Sequence, residues 1–256
     1  MPRLRLVLVA VGGLGAAVLL TVGVSGLRPF GSDVHPYGDR AVAASLHQQT
    51  ANALASVNFD QRGIDTLGEE SILFVAALGA VVLLRRLRDE EEDAGGAHRY
   101  GPEDVFDAVR LVGYVMLPVV VVVGLYVVAH GQVSPGGGFQ GGVVLGTGIH
   151  LAYLAGDYAT LERLRPTRIF DVTDAVGAGA FACVALATVL SGAAVLTNGL
   201  PLGQLGDLLS GGTVPILNAA VGLEVASAVV LLLAKFLEQA LAIHPGAPRT
   251  NDESAS

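Results

Sequence analysis

VFDAVRLVGYVMLPVVVVVGLYVVA, residues 105–129, is the stretch that decides the fold. It is long enough to cross a bilayer, because a spanning helix needs about 20 mostly apolar residues. Five other stretches have the same character, so we predict an all-α, polytopic membrane protein with about six transmembrane helices. The predicted helices are Leu4–Ser25, Leu67–Leu84, Val105–Ala129, Gly141–Ala155, Ala175–Thr197 and Val214–Leu237.

The composition supports a membrane protein and excludes several other classes. The chain is 52% hydrophobic and 15% charged, whereas soluble domains carry about 25% charged residues. A net charge of −8 argues against a nucleic-acid partner. The single cysteine, Cys183, excludes an internal disulfide and a cysteine metal cluster. Because no hydrolytic motif or metal-ligand spacing is present either, we predict no metal, no cofactor and no enzymatic activity.

The distribution of arginines predicts the orientation, because basic residues accumulate on the cytoplasmic side. If six helices alternate, most arginines fall on the side of the two termini, which we therefore predict to be cytoplasmic. The arginines on that side are Arg3, Arg5, Arg85, Arg86, Arg88, Arg99, Arg163, Arg165, Arg168 and Arg249. The opposite side holds Arg28, Arg40 and Arg62. The first helix is long for a signal peptide, and we expect it to be retained as an anchor.

A charged and glycine-rich linker, residues 89–102, divides the chain. It separates a two-helix membrane module, residues 1–88, from a four-helix membrane domain, residues 103–240. A polar tail, residues 241–256, follows. Between the first two helices, the apolar spacing over Asp39–Val57 predicts a short amphipathic helix.

The segment between the third and fourth helices is rich in glycine. It matches G-x-G-x-x-G, but a membrane helix precedes it instead of a strand, so we reject a dinucleotide site. Two compatible interpretations remain: a stripe of small residues for close helix packing, or non-helical backbone facing a water-filled path. The residues of this glycine segment are Pro135, Gly136, Gly137, Gly138, Phe139, Gln140, Gly141 and Gly142.

Ionisable residues inside the predicted helices are candidates for ion handling, because their burial in lipid is costly. Glu224 lies near the middle of the sixth helix, where it either handles a proton or cation, contacts a partner protein, or is a neutral structural residue. His150, in the fourth helix, is either a packing residue or a proton relay. His130, at the end of the third helix, either caps that helix or senses pH.

A second group of charges precedes the second helix. Asp65 or Thr66 is expected to cap this helix, and Thr66 with Glu69 has the spacing of a capping box. The alternative is an ion entry lined by Asp60, Asp65 and Glu69 with Arg62 as their counter-charge.

Residues 105–240 resemble the MnhB/MrpB subunit of multi-subunit cation/proton antiporters. The residues that carry the resemblance are His130-Gly131, Ser134–Gly142, Asp174–Gly177, Gly212-Thr213, Asn218 and Val221–Val225. The front of the chain, at Arg28–Gly31 and Asp60–Glu69, resembles the MbhE-like module that often ends the large subunit of these antiporters. Gln61 and Ile64 stand where that family usually has aromatic residues.

The resemblance implies a subunit of a monovalent cation (Na⁺)/proton antiporter, in which Asp60, Asp65 and Glu69 come first as ion-path residues and Glu224 second. It implies a multi-pass protein of a prokaryotic plasma membrane. The implied partners are other subunits of the complex, the lipid bilayer, H⁺ and Na⁺ or another monovalent cation. The alternative is a purely structural scaffold in an ion-pumping, hydrogenase-type redox complex.

Overall fold

The computed structural model describes residues 2–27, 31, 33–84, 106–155 and 167–243. The predicted linker 89–102 lies outside the described residues, as do residues 244–256 of the predicted tail and the resemblance at Arg28–Phe30. Most of the arginines that predict the orientation also lie outside them, so the orientation stays a prediction.

The described residues form helices joined by turns and loops, and they contain no strand. A short helix, Ala53–Ser56, is followed directly by a π-helical turn, Val57–Gln61. In chain order the helices are α1 (Pro2–Ser25), α2 (Pro36–His47), α3 (Ala53–Ser56), α4 (Gly63–Leu83), α5 (Asp107–Ala129), α6 (Gly138–Ala155), α7 (Thr167–Leu190) and α8 (Val214–Ile243).

Among the described residues, five helices are long and apolar enough to cross a membrane: α1, α4, α5, α7 and α8. The fourth predicted span is present as α6, an 18-residue helix, but it is not among the five. Its glycines, together with Gln140 and His150, interrupt its run of large apolar residues. The chain is nevertheless an all-α, polytopic membrane protein, as predicted.

The chain divides into two compact units, residues 1–40 and residue 41 onward. In the first unit, α1 is apolar and exposed along its length. A helix that is apolar all round needs lipid or another protein around it, so α1 has the character of a membrane helix without a packing stripe.

In the second unit, α8 packs against α4, α6 and α7. Helix α6 runs parallel to α8, because Gly138 lies against Val221 and Gly146 against Val229. Helix α5 runs antiparallel to α6, because Gly113 lies against Ala155 and Gly124 against Leu145. Helix α6 therefore lies at the same depth as two helices long enough to span.

One end of this bundle carries the ordered loops, and we call it the loop side. There α7 ends and α8 begins, and Gly63 at the start of α4 packs against Leu196 from the loop after α7. The core at this end contains Phe59 of the π-helical turn and Phe181 of α7, with ring centroids 6.2 Å apart. Helix α4 thus runs parallel to α8, and α7 runs antiparallel to both.

Several helix boundaries differ from the prediction, and the largest differences are at the start of α4 and at both ends of α7, which finishes at Leu190 instead of Thr197. Helix α4 begins at Gly63, with no side-chain cap at Arg62, so the predicted cap at Asp65 or Thr66 is wrong. Thr66 instead donates a 2.7 Å hydrogen bond to the Asn58 carbonyl. Helix α7 begins at Thr167 instead of Ala175; in its first turns Thr173 bonds to Ser227 of α8, while Arg168 and Asp171 are exposed.

The single amphipathic helix predicted over Asp39–Val57 is also wrong. The structure has α2, a break, and then α3 with the π-helical turn. Gln49 in the break has a φ of 55°, a left-handed conformation that a helix does not continue through. Asn52 then starts α3 by accepting a 3.1 Å hydrogen bond from the Leu54 amide.

Candidate functional site: buried carboxyl groups between three helices

Two glutamates meet in the interior of the bundle. Glu70 of α4 is 1% exposed and Glu224 of α8 is 0% exposed. Their carboxyl groups face each other closely enough to interact electrostatically. No described group hydrogen-bonds to any of their oxygens. We call this arrangement the Glu70–Glu224 pair.

A third carboxyl group joins the pair from α7. Asp174 is 4% exposed, and its Oδ1 has no hydrogen-bond partner among the described residues. It lies close enough to interact electrostatically with both Glu70 and Glu224. Three helices long enough to span a membrane therefore each contribute one buried carboxyl group.

The close approach of α7 and α8 depends on Gly177. A Cβ atom at this position would lie 2.7 Å from the Ala220 carbonyl oxygen and 2.8 Å from the backbone nitrogen of Glu224. These are backbone atoms, which do not move aside as a flexible side chain would. Glycine at position 177 therefore fixes the spacing of α7 and α8 beside the pair.

Electrostatics decides what this cluster can do. Two ionised carboxylates in a low-dielectric interior repel each other strongly, and isolated buried charges are too costly to persist. The pair therefore has to hold a proton or a cation between its oxygens, as pairs of neighbouring acids do. Such a site can exchange a proton for a monovalent cation without a change in its charge.

The acidic residues favoured by the sequence lie elsewhere. Arg62 and Asp65 form an exposed salt bridge at the start of α4, with the Arg62 Nε 2.6 Å from the Asp65 Oδ2. Asp60 lies half-buried in the π-helical turn, and its burial raises the pKa of its carboxyl group. Glu69 lies on the exposed face of α4, next in sequence to the buried Glu70.

The two predicted histidines lie away from each other. His130 follows α5 on the loop side, where its ring stacks on Tyr126 with centroids 4.6 Å apart. Its Nδ1 is 3.4 Å from the Ser134 hydroxyl oxygen. His150 lies on α6, half-buried, and its Nε2 has no hydrogen-bond partner among the described residues.

The glycine segment forms a turn on the loop side and then the start of α6. Gly136 and Gly137 have φ values of 139° and 138°, which L side chains rarely adopt. Pro135 and Gln140 are exposed, while Phe139 packs against the core. On α6 the segment is followed by a stripe that faces α8, made of Gly138, Gly142 and Gly146; Gly141 faces α5, close to Val128.

Polar side chains from two other regions hold this turn. Asn52, which precedes α3, donates from Nδ2 to the carbonyls of Gly131 and Ser134 at 2.7 and 2.9 Å. Asn218 of α8 accepts a 2.9 Å bond from the Gly138 amide through its Oδ1. Sequence reasoning missed Asn52, because its partners lie about eighty residues away.

Across the described ranges, no group of three or more His, Cys, Asp or Glu side chains has the geometry to hold a metal ion. The three buried carboxyl groups thus do not have the geometry of a three-ligand metal site.

The fold and the buried carboxyl groups define a class: polytopic membrane proteins whose spanning helices carry acids in their interior. Comparison with known proteins specifies this class further. Residues 108–231 match the family described as a domain related to the MnhB subunit of Na⁺/H⁺ antiporters. This part of the chain is therefore an MnhB-related domain, as the resemblance predicted, and the chain is a multi-pass cell-membrane protein.

Two curated relatives extend the likeness beyond this domain. An uncharacterized protein of Methanocaldococcus jannaschii is 25% identical over 235 residues, which cover 82% of this chain and 83% of the relative. A probable A/B-type component of a K⁺/H⁺ antiporter from Rhizobium meliloti is 28% identical over 191 residues. That match covers 66% of this chain but only 19% of the relative.

Two solved structures share the fold. One chain of the membrane-bound sulfane sulfur reductase, an archaeal respiratory membrane complex, aligns with a TM-score of 0.70 and 27% identity, covering 91% of this chain and 98% of that chain. A chain of the Mrp complex from Dietzia sp. DQ12-45-1b aligns with a TM-score of 0.64 and 21% identity. It covers 98% of this chain and 27% of the Dietzia chain, so this chain corresponds to about a quarter of that longer protein.

Proposed function

We propose that this protein is a non-enzymatic subunit of a multi-subunit antiporter that exchanges a monovalent cation for protons, and that the Glu70–Glu224 pair binds one or the other ion. The observation that carries the proposal is the burial of two facing carboxyl groups with no hydrogen-bond partner among the described residues. The MnhB-related domain and the likeness to a probable K⁺/H⁺ antiporter component support it.

The other members of the complex are the proposed partners, and the exposed Glu69 of α4 is a proposed contact with one of them. A carboxylate on a spanning helix is costly where it faces acyl chains, so a neighbouring protein has to cover it. Asp60, Arg62 and Asp65 lie on the loop side, where they are proposed to attract cations to the complex.

The front of the chain is proposed to be the MbhE-like module that the sequence suggests. The match to the sulfane sulfur reductase chain covers 91% of this chain, and it therefore extends well beyond the MnhB-related residues. Helix α4 of this front region supplies Glu70, and α8 of the MnhB-related domain supplies Glu224. The proposed ion site thus needs both parts of the chain.

Transport by the whole complex tests the proposal. The complex is expressed in cells that lack other antiporters, and cation-dependent proton flux is measured in everted vesicles. Glu70→Gln and Glu224→Gln are expected to lower the flux at least about tenfold, equivalent to ~1.4 kcal/mol in the barrier, with the complex assembled. Asp207→Asn removes an exposed loop carboxylate and is the control that should transport normally.

The likeness to a respiratory complex favours a second candidate, a structural scaffold in an ion-pumping redox complex. In that case both glutamine variants transport normally wherever the complex assembles, and deletion of the chain disrupts assembly. Normal flux in assembled Glu70→Gln and Glu224→Gln complexes would therefore refute the ion-binding role.

A further inference from the structure

A seam of polar groups runs between α7 and α8, away from the loop side. Its buried member is Asp174, which is 4% exposed and has an unpartnered Oδ1 among the described residues. Beside it, the hydroxyl oxygens of Thr173 and Ser227 are 2.7 Å apart. Ser and Thr are common between spanning helices, but acids within them are rare and mark functional sites, so Asp174 requires an explanation.

The contacts between α7 and α8 fix the depth of each group. Gly177 lies against Glu224, and Thr173 lies against Ser227. Because the two helices are antiparallel, Asp174 lies about one turn, ~4.5 Å, further from the loop side than Glu224. Asp171 lies about one turn further still and is exposed.

The pair itself lies on the other side of Asp174. Glu70 is seven residues after Gly63, the loop-side end of α4, which corresponds to a depth of about 10 Å. Glu224 is ten residues after Val214, or about 15 Å deep. From the loop side, Asp174 and then Asp171 therefore lie beyond the Glu70–Glu224 pair, which places the acids in a sequence across the bundle.

We propose that Asp174 relays protons between the Glu70–Glu224 pair and the side of the membrane on which α7 begins. This inference rests on the proposed function and adds the side from which protons reach the pair. In the relay step, the protonated Asp174 gives its proton to the Glu224 carboxylate and becomes a carboxylate itself. It then takes a new proton from a hydronium ion at the Asp171 end, which becomes water, so protons and charge balance and no electron moves.

A relay explains the geometry better than a structural role does. A structural acid inside a membrane protein is normally hydrogen-bonded, but the Asp174 Oδ1 has no partner among the described residues. A third ligand for a bound cation is also a poor explanation, because the described acids do not have the geometry to hold a metal ion among three of them. An acid one turn from the pair and one turn from an exposed aspartate is placed to transfer a proton in two short steps.

Sided cysteine labelling tests the proposal, because the chain has one native cysteine to remove. In a Cys183→Ser background, Asp171→Cys, Asp174→Cys and Val176→Cys are placed one at a time in the assembled complex. A charged, membrane-impermeant thiol reagent is then applied to one side of the membrane in right-side-out or inside-out vesicles. Val176 lies on the outer face of α7 and is 53% exposed in this chain, so Val176→Cys controls for reaction without a water-filled route.

The cysteines at positions 171 and 174 are expected to react from the side on which α7 begins and to be protected from the loop side. The cysteine at position 176 is expected to stay unreacted from both sides. A cysteine at position 174 that fails to react while position 171 reacts, or that reacts only from the loop side, overturns the relay.

Transport by Asp174 variants supplies a second readout. Asp174→Asn is expected to slow cation-driven proton flux about tenfold or more, and Asp174→Glu is expected to restore most of it, because a carboxyl group returns. If Glu70→Gln and Glu224→Gln abolish transport but Asp174→Asn does not change it, the relay is wrong and the proposed function stands. If the glutamine variants transport normally, the proposed function itself fails.

Discussion

The clearest quantitative expectation concerns Gly177, where α7 approaches α8 beside the buried carboxyl groups. A Cβ atom added there would lie 2.7 Å from the Ala220 carbonyl oxygen and 2.8 Å from the Glu224 Cβ. Ordinary contacts between carbon atoms are about 3.5–4.0 Å, so Gly177→Ala forces the helices apart by about 0.8 Å. Overpacking of this kind costs about 1–3 kcal/mol.

Gly179, on the same helix, is the matched control. Nothing lies within 4 Å of a Cβ atom built at that position. Alanine is favoured over glycine in a helix by about 0.8–1 kcal/mol, and this gain is common to both variants. The difference between Gly177→Ala and Gly179→Ala therefore isolates the packing cost, about 1–3 kcal/mol.

Thermal denaturation of the purified complex in detergent, followed by size-exclusion chromatography, measures the difference. A cost of this size corresponds to a midpoint about 2–12 °C lower for Gly177→Ala than for Gly179→Ala. The expected loss of transport accompanies it, because the displaced α7 carries Asp174 away from the pair. Equal or higher thermal stability of Gly177→Ala would refute the assigned contact between α7 and α8.

Two further expectations concern the loop side. Asn52→Ala removes the cap of α3 and the donor to the glycine segment, so the midpoint should fall by an amount equivalent to about 1–3 kcal/mol. Asn52→Asp keeps the cap but turns an acceptor toward the Gly131 and Ser134 carbonyls. Its denaturation midpoint should therefore be no higher than that of the alanine variant. Recovery to the wild-type midpoint would contradict the assigned hydrogen bonds. Asp60 has a pKa raised by burial, so its ionisation destabilises the folded protein as the pH rises through that raised pKa. Asp60→Asn should accordingly stabilise the complex at pH 8 and make no difference at a pH below the usual aspartate pKa of about 3.9. The same thermal denaturation measures both. A gain in stability that is independent of pH would exclude the ionisation of Asp60 as its cause.

Apolar length was sufficient to predict the spanning helices. Each of the five spans in the described residues overlaps a predicted one, because the thickness of the hydrocarbon layer sets how many apolar residues a span needs. Helix ends were predicted less well. The predicted fifth helix begins at Ala175, after Asp171 and Asp174, whereas α7 begins at Thr167 and includes both acids.

Glu70, one of the two acids of the Glu70–Glu224 pair, was also missed by the sequence analysis. Successive residues on a helix differ by about 100° in direction, so adjacent acids face different surroundings, and the prediction favoured Glu69 while Glu70 is the buried one. A signal for the correct choice was present in the sequence. Glu70 shares a face with Gly63, Thr66 and Ala77, at spacings of three, four and seven residues, and all four are buried. Small residues at those spacings mark the face on which another helix packs closely.

The buried face of α4 that carries Glu70 makes the two parts of the chain depend on each other. Glu70 is buried because α4 packs against α8 and α7, and Glu224 faces Glu70 only because α4 is there. Neither part alone can form the Glu70–Glu224 pair, since each supplies one of its two carboxyl groups. The linkage of the front helices to the MnhB-related domain in one chain keeps the two carboxyl groups at a one-to-one ratio. A chain divided at the predicted linker should therefore transport only when both halves are produced together, and transport by the back half alone would show that Glu224 does not need Glu70.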